Sequence, residues 1–544
     1  MRRDPQQLAA RTFDVLVVGG GIYGLTIACD AAARGLSVAL VDRDDFGSGS
    51  SFNHLRTIHG GLRYLQTLDL GRSRESIAER RTLARIAPHT LQPLMFALPL
   101  RRSLLRGRLA LRAAFLLDRI VAFDRNSGVL PSLRLPPGRV ISKQDVAERF
   151  PGIRRRELTG AACWYDYVTA EADRLTLSWA LAAASHGAAL VNYFAAESLI
   201  AEGKRIAGMR GTDRAPDGRA GASIEVAARL TINATGGRVD SLLTPLGISH
   251  RLPMLRAMNL VTRRDAGEVA LGGMSKTGRA FFLIPWRGKA VFGTWESSAP
   301  IDPSADRAAG FSEGEVDAFL HQLNEAFPAL ELRRDEVTLV HRGIVPAVVH
   351  RSGVVTLEGR EQIRDHSVDG FEGLISVAGT KYTTARAVAE RVVDLALRKL
   401  GRPSVPCRTA AVPLPGGDIT DDPLELAAAR RDYDREVPSD TLPHLIRAYG
   451  SKFREVLGVA GDRPDLRARI SDVSPVIAAQ LVWAARHEMA ITLADAVVRR
   501  TPLGALGYPG DAAAEKSAAI LGAELQWTTD RIDSELDELR RFYR

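Results

Sequence analysis

Apolar residues at the start of the chain come in two unbroken runs separated by glycine and alanine. Val15 to Val18 is apolar and β-branched, and it runs straight into Gly19, Gly21 and Gly24. An Ala-rich segment follows, then a second apolar run ending on Asp42. Strand, glycine turn, helix and strand in that order predict one βαβ unit. Further on, a polar Gly- and Ser-rich loop leads to a second glycine pair at Gly60-Gly61 and to a helical stretch ending in ERRTLARIAPH. Residues 99–123 alternate arginine with leucine at helical spacing, and the segment from Ala161 reads as a short aromatic strand, a turn and an apolar helix ending at Gly187. Two short strands flank the loop TDRAPDGRAGA between Leu199 and Val226, and Leu230 to Gly237 is an apolar strand stopping at a glycine pair. From about 243 to 356 the chain reads as strands and turns. Gly373 to Leu397 is a strand, a tight glycine turn and a long helix, and beyond Pro413 to Gly417 the spacing is helical to the end.

The first unit carries chemistry. Gly19 makes the tight turn, Gly21 lets backbone approach a pyrophosphate, and Gly24 lets helix and strand pack closely, while the helix N-terminus offers N–H groups to the anion. Asp42 is placed to take the two hydroxyls of an adenosine ribose. Glycines also end ordinary turns, but strand, glycines, helix, strand and acid within ~30 residues favour a dinucleotide site. Its place near the start of a 544-residue chain favours FAD over NAD, because a flavin needs later segments to complete its pocket. That length also predicts two or three domains.

Composition narrows the partners. The formal net charge is +9, mostly from arginine, which suits nucleic acid, an anionic membrane surface, an anionic substrate or simply an Arg- and Ala-rich genome. No nucleic-acid motif accompanies it, so nucleic acid is discounted. No apolar run approaches the ~18 to 20 residues of a membrane span, and the N-terminus lacks an apolar signal core, which predicts a cytoplasmic protein. Cys29, Cys163 and Cys407 are odd in number and widely spaced, so neither a disulfide framework nor a metal site is expected. Residues 99–123 offer a basic amphipathic face to an anionic membrane; a helix packed on its own domain with solvated arginines is the competing reading.

Several candidate residues flank the fingerprint. Ser50 and Ser51 offer hydroxyls beside it, and His59-Gly60-Gly61 is a second place where backbone can come close to a ligand. Arg63 and Tyr64 follow at once. GGGIYG, then SS, then IHGGLRYL, with the helical stretch after it, resemble the FAD-dependent glycerol-3-phosphate dehydrogenase family of the glutathione-reductase-like flavoproteins. The resemblance extends to LTINATGG, where it assigns Thr235 and Gly236 to the cofactor. It extends also to GTKYTT, where it assigns Gly379, Thr380, Lys381 and Thr383, and to the C-terminal helical strings. A helix N-terminus beside Lys381 would stabilise negative charge on a reduced flavin ring.

The fold this implies is α/β, a Rossmann-like FAD-binding domain with a β-rich substrate domain and a C-terminal helical domain. The implied boundaries are 1–80, 158–242 and 357–400 for the FAD-binding domain, 81–157 and 243–356 for the substrate (cap) domain, and 401–544 for the helical domain. The implied activity is oxidation of sn-glycerol 3-phosphate to dihydroxyacetone phosphate, with hydride passing to flavin N5 and electrons to quinone. The implied setting is peripheral, on the inner face of the cytoplasmic membrane, with a homodimer among the expected assemblies.

The family pattern is broken in places. Its phosphate-binding arginine falls on Val345 of Gly343-Ile344-Val345-Pro346, its active-site histidine on Asn259, and its Thr-Asp pair on Trp295-Glu296. Arg342 is the neighbouring cation, on the other face of a strand. Arg360 sits where the family keeps another substrate-facing arginine, with Arg364 as the alternative. Arg63, Tyr64, Asn259, Arg360 and Lys381 are therefore the expected catalytic set, for glycerol 3-phosphate or a related alcohol. Rival readings are a same-fold flavoenzyme or oxidase acting on another polyol, hydroxy or amino compound, and a non-catalytic FAD-bound partner protein.

Overall fold

A computed structural model describes residues 1–543 apart from 101–106, 150–157, 217–220, 222, 249–251, 303–310, 420–421 and 434–435. The apolar runs read from the sequence form the centre of the first of two sheets. Its strands lie in the order Gln362–Asp365, Leu374–Ala378, Ser223–Asn233, Phe13–Val18, Val38–Val41 and Ala189–Val191. Phe13–Val18 is buried along its whole length because it is parallel to both neighbours and covered on both faces. Val15 and Val17 face a core shared with the helices Ile22–Ala33, Ala172–Ser185 and Ala385–Lys399. Leu16 and Val18 face the ribbon formed by Phe194–Glu202, Arg205–Asp213 and the first half of Ser223–Asn233.

The second sheet runs Val355–Leu357, Val337–Val349, Met254–Asp265, Lys289–Glu296, Ala280–Trp286, Val269–Met274, Leu91–Leu100, Gly160–Thr169 and Thr57–Ile58, with Arg139–Ser142 also on Gly160–Thr169. The helix Glu313–Ala326 starts at a capping box between Ser312 and Glu315 and packs Phe319 and Leu323 on Phe281 and Phe292. Two expected boundaries fall differently. Gly160–Thr169, expected on the FAD side of residue 158, lies in the second sheet, because its backbone is paired residue for residue with Leu91–Leu100. The helix Leu70–Ile86 runs unbroken through the boundary at 80. Of the amphipathic stretch 99–123, Arg108–Val121 is helical and residues 101–106 lie outside the described residues.

The remainder is helical from Asp422–Tyr433 to Thr529–Phe542, around a core that includes Leu445, Phe453, Leu481, Val497, Leu521 and Leu539. A buried ionic knot fastens this domain to the loop after Val38–Val41. The Asp45 carboxylate takes Arg500 Nη1 and Nη2 at 2.6 and 2.7 Å and Arg499 Nε at 2.6 Å, with Asn192 Nδ2 at 3.1 Å. Burial alone would raise the Asp45 carboxyl, but the charges of Arg500 and Arg499 outweigh it and hold it below the ordinary carboxylate range. Arg500→Met should therefore destabilise the protein by about 3–5 kcal/mol, since it removes most of the compensation of a buried charge. Thermal unfolding and limited proteolysis across the helical domain test this; a variant with wild-type stability and protease resistance would show that the knot contributes nothing.

Candidate functional site

Geometry around the glycine turn explains each glycine differently. Gly19 has φ +108° and a Cβ there would stand 2.5 Å from the Ala234 carbonyl oxygen, so the turn is pressed onto the end of Ser223–Asn233. A Cβ on Gly24 would stand 1.8 Å from the Gly19 carbonyl oxygen. At Gly21 the nearest neighbour would be Ser51 Oγ, at 3.3 Å. The turn is thus closed by backbone at Gly19 and Gly24, whereas at Gly21, the N-cap of Ile22–Ala33, the close neighbour is a serine hydroxyl, and the backbone there fits a pyrophosphate. Gly236, with φ +61°, has no neighbour within 4 Å of such a Cβ, while Thr235 Oγ1 is held by the Asn233 side chain.

Asp42 accepts the Gly20 N–H at 2.5 Å and the Asp44 N–H at 2.8 Å. Burial pushes its carboxyl up to about 7, with those N–H groups opposing and the Asp44 charge adding to the rise. A carboxylate so placed at the strand end is poised to be stabilised by two hydroxyl donors. The donor and acceptor set therefore fits the adenosine half of FAD. Of the two expected serines, Ser51 accepts the Ile22 N–H at 2.9 Å and steadies the helix start, whereas Ser50 donates to the Ile344 carbonyl at 2.9 Å and ties this loop to the second sheet.

The second glycine pair meets the strand–turn–helix at residues 374–399. His59 N–H donates to Thr383 Oγ1 at 3.2 Å, Tyr23 Oη donates to the Lys381 carbonyl at 3.0 Å, and Thr380 Oγ1 donates to the Glu358 carbonyl at 2.8 Å. A Cβ on Gly379 would stand 2.3 Å from Tyr23 Oη, and one on Gly60 2.2 Å from Arg80 Nη1, so both positions are filled by neighbours. Gly61 turns at φ +75° and starts the helical turn Leu62–Thr67 that carries Arg63 and Tyr64. Beneath it, buried Asp166 accepts the Gly60 N–H at 2.7 Å and pairs with Arg80, and the His59 ring lies 3.3 Å from the same carboxylate.

Tyr64 is the centre of a cationic cluster. Arg63 Nη2 donates to its hydroxyl at 3.0 Å, and Lys381 Nζ, Arg72 Cζ and Arg63 Cζ lie 4.5, 4.9 and 5.0 Å from the ring centroid. Burial would raise the phenol, but the Arg63 charge and hydrogen bonds from Lys381 and Arg63 bring it below its ordinary value of 10. Arg360 joins from the rim, 3.7 Å from Asp69. Arg364 is engaged with Asp369 and is no alternative to it.

Asn259 does not join this cluster through any hydrogen bond. It is buried, its Nδ2 donating to the Asn53 carbonyl at 2.7 Å and its Oδ1 accepting from Thr294 Oγ1 at 2.9 Å. Across the ladder it pairs with His341, and Leu255 pairs with Val345 at the same parity, so those four share a face. Arg342 pairs with Met258 on the opposite face, toward Glu313 of the covering helix. Behind Asn53 lie His54 and His341; burial and then the Arg56 charge lower both imidazoles well below their ordinary range.

Three groups were not singled out from sequence. Asp166 had a signal, an acid inside the apolar-aromatic string ACWYDYV. Asp69 had one too, since Asp before a helical run is an N-cap residue, and its side chain does accept the Arg72 N–H. Arg72 had none that separates it from a solvated helix arginine.

Comparison with known proteins agrees with this geometry. Residues 14–395 match the family described as FAD dependent oxidoreductase, and residues 407–532 match the C-terminal domain of alpha-glycerophosphate oxidase. Glycerol-3-phosphate dehydrogenase of Synechocystis sp. is 32% identical over 562 residues, covering 100% of this chain and 98% of that protein. The mitochondrial glycerol-3-phosphate dehydrogenase of Homo sapiens is 32% identical, covering 97% of this chain and 73% of that protein. Among solved structures, the glycerol-3-phosphate dehydrogenase of Bacillus halodurans complexed with FAD aligns with TM-score 0.76 and 26% identity, over 99% of this chain and 95% of that one.

Asp42 supplies a pH test of the cofactor site. Hydroxyl donors favour its charged form, so FAD binding should expel a proton wherever the free carboxyl is protonated, that is below about 7. Affinity of the apoprotein for FAD should then fall as pH drops through 7, by up to about tenfold per unit. Titration between pH 5.5 and 8.5 measures it, and Asp42→Asn should flatten the profile. An unchanged slope in that variant would remove Asp42 from the site.

Proposed function

The chain belongs to the FAD-dependent oxidoreductase family and binds FAD, and from that premise we propose that it oxidises sn-glycerol 3-phosphate to dihydroxyacetone phosphate. The observation that carries the reading is the gathering of Arg63, Arg72, Lys381 and Arg360 around Tyr64 and Asp69, an excess of positive charge suited to an anionic alcohol. FAD supplies the hydride acceptor. Arg63 and Lys381 stabilise the charge that develops on the substrate oxygen as its proton leaves. Tyr64 in its phenolate form accepts that proton and becomes the neutral phenol: its oxygen lies among these cations, which favour the phenolate, whereas Asn259 has no basic atom and its amide is engaged on both sides. Arg360, mostly exposed, closes over the anionic end from the rim.

A changed substrate is the second reading, and two observations favour it. Val345 brings no charge to the face it shares with Asn259, and Asn259 is already engaged through both amide atoms, with Asn53 and Thr294. The electron acceptor in the first reading is a membrane quinone, reached from a membrane surface. No helix among the described residues is long and apolar enough to cross a membrane. The helix Arg108–Val121 instead buries Leu111 and Phe115 and turns Leu109, Leu116 and Ile120 outward, 80%, 61% and 66% exposed, with Arg112 and Arg119 on the same side. That stripe fits an interfacial helix on anionic lipid.

Anaerobic mixing with glycerol 3-phosphate should bleach the flavin of the holoenzyme, and Tyr64→Phe should slow this at least about 100-fold with FAD content unchanged. The pH profile of reduction in wild type should show an ionisation below 10 that the variant lacks. Reduction by other polyols but not by glycerol 3-phosphate would select the second reading. Flotation with anionic vesicles should be salt-sensitive and weakened by Leu116→Glu with Ile120→Glu; binding unaffected by either would place the membrane contact elsewhere.

A further inference from the structure

We propose that Arg72 anchors the anionic group of the substrate, taking the part for which the chain offers only Val345 on the Asn259 face; this rests on the reading that the substrate is an anionic alcohol.

Arg72 is held as a ligand-binding arginine is held. It lies in the first turn of Leu70–Ile86, where Asp69 caps the helix by accepting its backbone N–H at 3.0 Å and fixes its guanidinium through Nε at 2.5 Å. Nη1 reaches the Gly359 carbonyl at 3.5 Å, beside Arg360. The side chain is 28% exposed, its guanidinium stands by the Tyr64 ring that Arg63 and Lys381 share, and among the described residues Nη2 has no hydrogen-bond partner. Two edges are thus tied down and one edge is left to a ligand, which reduces the conformational entropy lost on binding.

Charge and topology point the same way. Arg63, Arg72, Arg360 and Lys381 carry four positive charges, and the carboxylates among them are Asp69 and Glu358, the latter bonded to the Arg360 N–H and Gln362, so two positive charges are in excess. A phosphate dianion matches that excess. Other cations nearby do not compete: Arg342 lies on the opposite face of its strand, toward Glu313, Arg364 pairs with Asp369, and Arg391 with Glu75 and Glu361.

Rapid-reaction reduction of the holoenzyme tests this with two substrates, glycerol 3-phosphate and uncharged glycerol. In Arg72→Leu the half-saturating concentration of glycerol 3-phosphate should rise roughly 10- to 100-fold, while kcat/KM for glycerol falls by a much smaller factor. Arg72→Lys should recover part of the loss. Inorganic phosphate, titrated as a perturbation of the flavin spectrum, should bind wild type and lose affinity by a similar factor in Arg72→Leu. Unchanged saturation and unchanged phosphate affinity would overturn the proposal, and so would an equal loss toward glycerol, which would mark Arg72 as a tie for Asp69 alone. If glycerol 3-phosphate fails to reduce even wild type, the substrate reading falls, and phosphate affinity decides separately whether Arg72 binds anions.

Discussion

One buried carboxylate sets the geometry on which the site depends. Asp166 belongs to the second sheet, yet its partners are the Gly60 N–H, Arg80 of the helix Leu70–Ile86 and the His59 ring on the approach to Tyr64. Burial would raise its carboxyl; the Arg80 charge, His59 and the Gly60 N–H more than offset this and keep it ionised. An ionised, fully engaged carboxylate in that position fixes the glycine turn, and the turn fixes where Arg63 and Tyr64 point. Through His59 N–H and Thr383 the same turn is registered against the strand–turn–helix of the first sheet, so Lys381 and Tyr64, 317 residues apart in sequence numbering, are brought within one cation–π contact.

The cofactor end depends on a second such arrangement. Asp42 and Asp45 are three positions apart and differ in everything that matters: Asp42 has only backbone donors and a raised carboxyl, Asp45 has two arginines and a lowered one. The first is left needing donors, which suits a ribose. The second is saturated and serves as the anchor of the helical domain. The helical domain thus holds, through Arg499 and Arg500, the loop that follows Asp42.

The arginine excess of the sequence resolves into three uses. Many arginines are paired with carboxylates at close range, among them Arg386 with Glu79 and Arg174 with Glu488. A few stack on aromatic rings, as Arg56 does on Trp286 at 4.4 Å. The cluster at Tyr64 is different because its cations outnumber the carboxylates among them, and local excess rather than the net charge of +9 indicates an anionic ligand.

Sequence by itself determined the βαβ start with its tight glycine turn and the α/β class with its helical C-terminal domain. These follow from local spacing: glycine positions, apolar runs and turn residues act over a few residues and can be read in order. Only the tertiary structure decided that Gly160–Thr169 joins the second sheet, that Ser50 braces the Ile344 carbonyl, that Asn259 is locked between Asn53 and Thr294, and that Arg342 faces away. Each of those depends on which residue lies opposite across a sheet or loop far away in the chain. Arg72 shows the limit most plainly: its spacing is that of a surface helix residue, and only the fold sets it beside Tyr64.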